Sequence, residues 1–134
     1  MRFGSGTFRL ILASTSPYRR ELLSRLGVPF DVAAPGTDET RHPGEDPKAM
    51  VARLAREKAA AVAAKTAEGL VIGSDQCAVL GGVVLGKPGS YEKAVSQISA
   101  ASGHSVRFLT AVCLHDAASG QIREALDETV VKFR

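Results

Sequence analysis

Two sets of side chains in this sequence carry the chemistry of a phosphate site. The first follows an apolar run, where Leu10-Ile11-Leu12-Ala13 gives way to Ser14-Thr15-Ser16-Pro17-Tyr18-Arg19-Arg20. Ser16 reads as a helix N-cap and Pro17 as the first helical residue. The positive end of a helix dipole disfavours cations, so Arg19 and Arg20 are out of place there by charge alone. They make sense beside an anion held by backbone N–H groups, hydroxyls and guanidiniums. The second set mixes signs: the adjacent carboxylates Asp38 and Glu39, the lysines Lys58 and Lys87, and Asp75 after a second apolar run.

Each of these has a plainer reading. An acidic pair in a loop is usually solvated, Arg19 can snorkel past the edge of the core, and Lys58 can do the same along its helix. Asp75 can be a turn or cap residue. The elements decide between the readings. The first strand is expected over 9–14 and its helix over 17–26, closed by Gly27. Leu22, Leu23 and Leu26 give that helix an apolar stripe, and Arg19 shares it. Val28–Ala33 reads as a short strand, and 35–44 as a polar loop too long for a mere connector. It follows the basic turn on the same strand–helix–strand unit, which brings Asp38 and Glu39 toward a metal or substrate.

A second helix is expected over 47–66. At 100° per residue Met50, Val51, Leu54, Ala55 and Val62 share one arc, and Lys58 falls inside it. Arg53 and Glu57 form an i,i+4 pair on the outer side. Lysine is almost never buried without a partner, so Lys58 either snorkels or serves an anion. Leu70-Val71-Ile72-Gly73-Ser74-Asp75 reads as a central, doubly covered strand that ends on its carboxylate, where ligands bind in open α/β sheets. Gly81-Gly82 joins a hairpin of 77–80 and 83–85. Gly86-Lys87-Pro88 closes it, with the Lys87 ammonium able to reach a ligand. A third helix over 90–101, a strand over 106–115, a turn at Ser119-Gly120 and a final strand over 122–133 complete the chain. His104 reads as a strand-entry residue rather than a catalyst.

A length of 134 residues suits one domain with its own core, and the apolar and charged fractions are those of a globular chain. The net charge of +3 is dispersed, with no basic run, and aromatic residues are few. This suits a small anionic ligand better than a nucleic acid. Cys77 and Cys113 are far apart in apolar surroundings and read as buried thiols. No apolar stretch is long enough for a membrane span, and Gly4-Ser5-Gly6-Thr7 interrupts any signal-like run. A cytoplasmic protein is expected.

Taken in order, these segments resemble the Maf family of nucleoside triphosphate pyrophosphatases. The resemblance is carried by Leu12-Ala13-Ser14 with Ser16-Pro17 and Arg19-Arg20, by Asp38-Glu39, and by Arg53-Leu54-Ala55 with Lys58-Ala59. Asp75, Gly86-Lys87-Pro88, Ser102-Gly103 and Thr110-Ala111-Val112 follow in family order, so the match spans roughly 9–134. It implies an α/β fold, a twisted mixed sheet flanked by helices around a two-lobed cleft of the Maf and inosine-triphosphatase kind. It also implies a further glycine-rich segment, so the single domain over 1–134 reads as truncated at its C-terminal end, with the second lobe incomplete.

The resemblance further implies hydrolysis of the α–β phosphoanhydride of a nucleotide to a monophosphate and pyrophosphate. Ser14, Ser16, Arg19, Arg20 and Lys58 would bind substrate. Asp75 and Lys87 would be catalytic, and Glu39 with Asp75 would hold a divalent cation, Mg²⁺ or Mn²⁺. Asp75 either activates the water or holds the metal. Tyr18 and Gln76 resemble the specificity positions of the subgroup acting on 7-methyl-GTP, where a flat aromatic suits a cationic purine. The alternatives are a dTTP/UTP pyrophosphatase of the same family and a nucleotide-binding regulator without turnover. A nucleic-acid-binding module and a purely structural α/β domain fit less well. A small-molecule nucleotide is the expected partner, without nucleic acid or membrane, and family members are often homodimers.

Overall fold

A computed structural model describes residues 9–40, 42–85, 96, 97, 99, 100 and 103–132. The elements are β1 (Leu10–Ala13), α1 (Pro17–Ser24), β2 (Asp31–Ala33), α2 (Pro47–Ala63), β3 (Leu70–Leu80), β4 (Val83–Leu85), β5 (Ser105–Asp116) and β6 (Ile122–Lys132). The strands form one mixed sheet in the order β2-β1-β3-β5-β6, and β4 also pairs with β3. β1 runs parallel to β2 and β3, whereas β4, β5 and β6 enter by antiparallel pairing.

The core forms where α2 lies on β3 and β5. Met50, Val51, Leu54, Ala55, Ala59 and Val62 bury one face of the helix. They meet Ile11, Ala13, Val71, Val79, Leu109, Ala111 and Cys113. Burial pushes the Cys113 thiol above its ordinary pKa. The alternation of the strand puts Val71, Gly73 and Asp75 on this helix-covered face, and Ile72, Ser74 and Gln76 on the other. Gly73 is the closest point of approach. A Cβ built there would stand 2.2 Å from the Ala55 carbonyl oxygen and 2.7 Å from the Ala59 nitrogen.

Local rules hold where local chemistry decides. Ser16 caps α1 with Pro17 at its start, and Asp46 caps α2 through the N–H groups of Lys48 and Ala49. Gly81 and Gly82 both take positive φ, as the tight turn between β3 and β4 requires. Several expectations are corrected. The expected strand from Leu70 to Asp75 and the first arm of the hairpin are one 11-residue strand, because β5 pairs with it continuously from Leu70 to Leu80. Asp75 therefore lies within β3 rather than at its end. Gln76, on the face away from α2, is exposed, so the double cover expected for β3 is not seen at this point among the described residues. α1 is shorter than expected and buries none of its residues; Leu22 and Leu26 are exposed. α2 ends at Ala63, and the strand after α1 starts only at Asp31. Most of the expected third helix lies outside the described residues.

Candidate active site

The sheet itself opens a cleft. β1 pairs with β3 over 70–72, and β4 pairs with the same edge over 78–80. Between them the edge of β3 looks onto the interval where β1 turns into α1. A cleft of about 520 Å³ lies here, lined by Tyr18, Arg19, Glu39, Lys58, Asp75 and Gln76 among others. Asp75 gains access to it because β1 stops short, not because β3 does.

At its floor one ammonium is shared by two carboxylates. Lys58 Nζ lies 3.0 Å from Asp75 Oδ1 and 2.7 Å from Glu39 Oε1, and donates to the Ser74 carbonyl at 3.3 Å. The Lys58 side chain is 7% exposed and that of Asp75 12%, whereas Glu39 is more than half exposed. The lysine is thus paired rather than snorkelling, as its place inside the apolar arc of α2 requires. Ser74 also donates to the Ala111 carbonyl at 2.9 Å, tying this part of β3 to β5.

At the mouth, the Ser16 hydroxyl accepts the Arg19 N–H at 3.3 Å, and Arg19 is half-buried against the cleft. Tyr18 is 61% exposed and lines the same space. Gln76 reaches it from the other side, next to its β5 partner Thr110. Ser14 and Arg20 lie elsewhere. Ser14 is buried, accepts the Ser16 N–H at 3.0 Å and so shapes the turn. With Arg20 it lines a neighbouring cavity of about 770 Å³ on the β2 side. Neither Lys58 nor Asp75 lines that cavity, so the cleft that holds both is the candidate site. Lys87 lies outside the described residues.

Sequence reasoning missed one contact of Arg53 and one residue lining this site. Arg53 is no plain outer pair: its side chain is 15% exposed and it grips Glu45 with two nitrogens, at 2.7 and 2.9 Å. Phe108 and Thr110 of β5 line the cleft; Thr110 belongs to the Thr110-Ala111-Val112 segment of the family resemblance, whereas nothing before the β3–β5 register identifies Phe108. The Arg53 hydrogen bonds hold Glu45 down to about 2 from an ordinary 4.5. A depressed carboxyl stabilises the fold fully above its unfolded pKa and progressively less as pH falls through the folded one. Urea midpoints measured from pH 5 to pH 2 should therefore fall in the native protein, and fall less in Glu45→Gln.

The Maf-like protein family matches residues 9–134. The chain belongs to this family. It is 52% identical over 125 residues to a 7-methyl-GTP pyrophosphatase of Nitrosococcus oceani, an overlap of 93% of this chain and 63% of that one. It is 56% identical over 126 residues to a 7-methyl-GTP pyrophosphatase of Xanthomonas campestris pv. campestris, covering 94% of this chain and 65% of the relative. The chain thus spans under two thirds of the length of these relatives. Among solved structures it is similar to Ham1 proteins of Staphylococcus aureus and Coxiella burnetii. The TM-scores are 0.58 and 0.59 at 14% and 11% identity, with 92% and 94% of this chain and 71% and 73% of those covered. That likeness shows the shared fold, a mixed sheet flanked by helices. Among the described residues no helix is long and apolar enough to cross a membrane.

Proposed function

We propose that this Maf-family chain carries the site of a nucleotide pyrophosphatase acting on 7-methyl-GTP, giving the nucleoside monophosphate and pyrophosphate. The observation that carries the reading is the floor of the cleft. One buried lysine holds two carboxylates there, below a mouth that presents Arg19 and an exposed aromatic ring. The relatives named for this activity support it.

The residues divide the work by charge. Arg19 and Lys58 neutralise phosphate oxygens, and the turn at Ser16 orients them; transfer at phosphorus depends mainly on such positioning. Lys87 completes the cationic set in this reading, while Arg20 faces the neighbouring cavity. Asp75 orients a water and takes its proton as the water oxygen bonds to phosphorus. The α–β P–O bond breaks, and its electron pair leaves on the pyrophosphate. Lys58, 3.0 Å from Asp75 Oδ1, keeps that carboxylate aimed for this step. Glu39 and Asp75 also suit a divalent cation, since both already present an oxygen to one positive centre, and Mg²⁺ needs only one or two carboxylates beside substrate phosphates. Such a cation would neutralise charge on the triphosphate. A cytoplasmic setting, expected from the sequence, and a homodimer, implied by the family resemblance, belong to the same reading.

The test is a panel of nucleotides with Mg²⁺, including 7-methyl-GTP, GTP, dTTP and UTP, assayed for pyrophosphate on the full-length gene product. Preferential release from 7-methyl-GTP is expected. Release only from dTTP and UTP would replace the substrate, and tight binding without release from any of them would replace the enzyme by a nucleotide-binding regulator. Tyr18→Ala should then cut the preference for 7-methyl-GTP over GTP by about 2- to 30-fold, the size of a cation–π contact.

A further inference from the structure

We propose that Arg53 is a positioning residue for Glu39, fastening the loop between β2 and α2 so that the Glu39 carboxylate meets Lys58. The inference rests on reading the cleft as a nucleotide site. Glu39 is carried by an exposed loop, and nothing in its own sequence fixes where it points. Its next neighbour, Thr40, offers its carbonyl to Arg53 Nη2 at 3.2 Å. The same guanidinium takes both Glu45 oxygens and donates to Glu57 at 3.0 Å. Glu45 in turn accepts the His42 N–H at 3.3 Å.

Two consecutive loop residues are thereby pinned to one helix: Glu39 to Lys58, and Thr40 to Arg53. Those helix positions are five residues apart, about 7.5 Å along the axis and a little over a third of a turn around it beyond one full turn. Two anchors so placed fix both the height and the tilt of the peptide between them. The loop also has an internal brace, since the Asp38 carboxylate accepts the Thr40 N–H at 2.9 Å and is held below its ordinary pKa by hydrogen bonds from Thr40. The fork at Arg53 is bidentate and largely shielded from water. Glu45 stays ionised down to about 2, so the fastening holds throughout the neutral range. Arginine is required for this geometry because lysine cannot span two carboxylate oxygens and a carbonyl at once.

Hydrogen exchange on the nucleotide-free, full-length protein tests the fastening. Arg53→Gln should speed exchange of the Thr40 N–H on the order of tenfold and leave Ala59–Ala63 in α2 unchanged. Equal protection of Thr40 in variant and native protein would overturn the proposal. Glu45→Gln, which breaks the same fork from the loop side, serves if Arg53→Gln does not fold. The link to Glu39 is read by a double-mutant cycle. Arg53→Gln should lower kcat/KM on the order of tenfold in the native background and hardly at all in Glu39→Gln, with Arg53→Lys intermediate. Equal losses in both backgrounds would place Arg53 in the fold rather than behind Glu39, and would overturn the proposal. If the native protein releases no pyrophosphate from any nucleotide, the nucleotide reading falls. The exchange result then separates that failure from failure of the fastening itself.

Discussion

Asp75→Asn should lower pyrophosphate release by about 10²- to 10⁴-fold, the range expected for loss of a positioned proton acceptor. The substitution keeps the shape of the side chain. The amide oxygen can still accept from Lys58 Nζ, now at 3.0 Å, and Glu39 still balances the ammonium at 2.7 Å. The fold should therefore survive, with the loss falling on kcat more than on KM. Asp75→Ala is the contrasting case. It removes one of the two carboxylates from a nearly buried lysine, and breaking such a pair costs about 3–5 kcal/mol. Steady-state kinetics with a thermal melt on each variant separates the two outcomes. Full turnover in Asp75→Asn with an unchanged melt would remove Asp75 from proton transfer and leave it a partner of Lys58.

What the sequence discloses about this site follows the range of the interactions involved. The Ser16–Pro17 helix start is legible because a cap needs only residues within one turn, and the hydroxyl does accept the Arg19 N–H. Lys58 is legible because the helical period alone places it among Met50, Leu54 and Val62, and burial then demands a partner. Asp75 is identified for its chemistry but misplaced in the fold. Gln76–Leu80, which extend β3 beyond it, pair with Thr110–Val106 of β5, 26 to 34 positions later, and no local pattern reports that register. Arg53 fails in the same way. Its i,i+4 partner Glu57 is visible at once, yet the stronger contact is with Glu45, eight residues before it and outside the helix. The separation of Arg19 from Arg20, one lining the cleft and one the neighbouring cavity, is likewise set by how the short α1 meets the sheet.

Gly73→Ala should be the most damaging alanine substitution among the described glycines that have negative φ or open space around them. The added carbon would stand 2.2 Å from the Ala55 carbonyl oxygen, 2.7 Å from the Ala59 nitrogen and 3.0 Å from the Ala59 Cβ. Two of these are helix backbone atoms, which no rotamer change can move. Either α2 lifts from the sheet or the variant does not fold as a single state. Overpacking of this kind costs about 3 kcal/mol, and a loss of that size lowers Tm by about 10 °C in a chain of this length. The effect extends to the chemistry, because Lys58 belongs to the same turn of α2 as Ala55 and Ala59, while Asp75 lies two residues along from Gly73. A shift of a few tenths of an ångström in the helix lengthens the Lys58–Asp75 contact directly. Ser74→Ala is the control: it removes one hydrogen bond to the Ala111 carbonyl without crowding the helix, at about 1 kcal/mol. Chemical denaturation of the two variants should differ by about 2 kcal/mol or more on this basis. Equal stabilities would mean that α2 does not rest on Gly73, and that the helix is positioned over Asp75 by its other contacts.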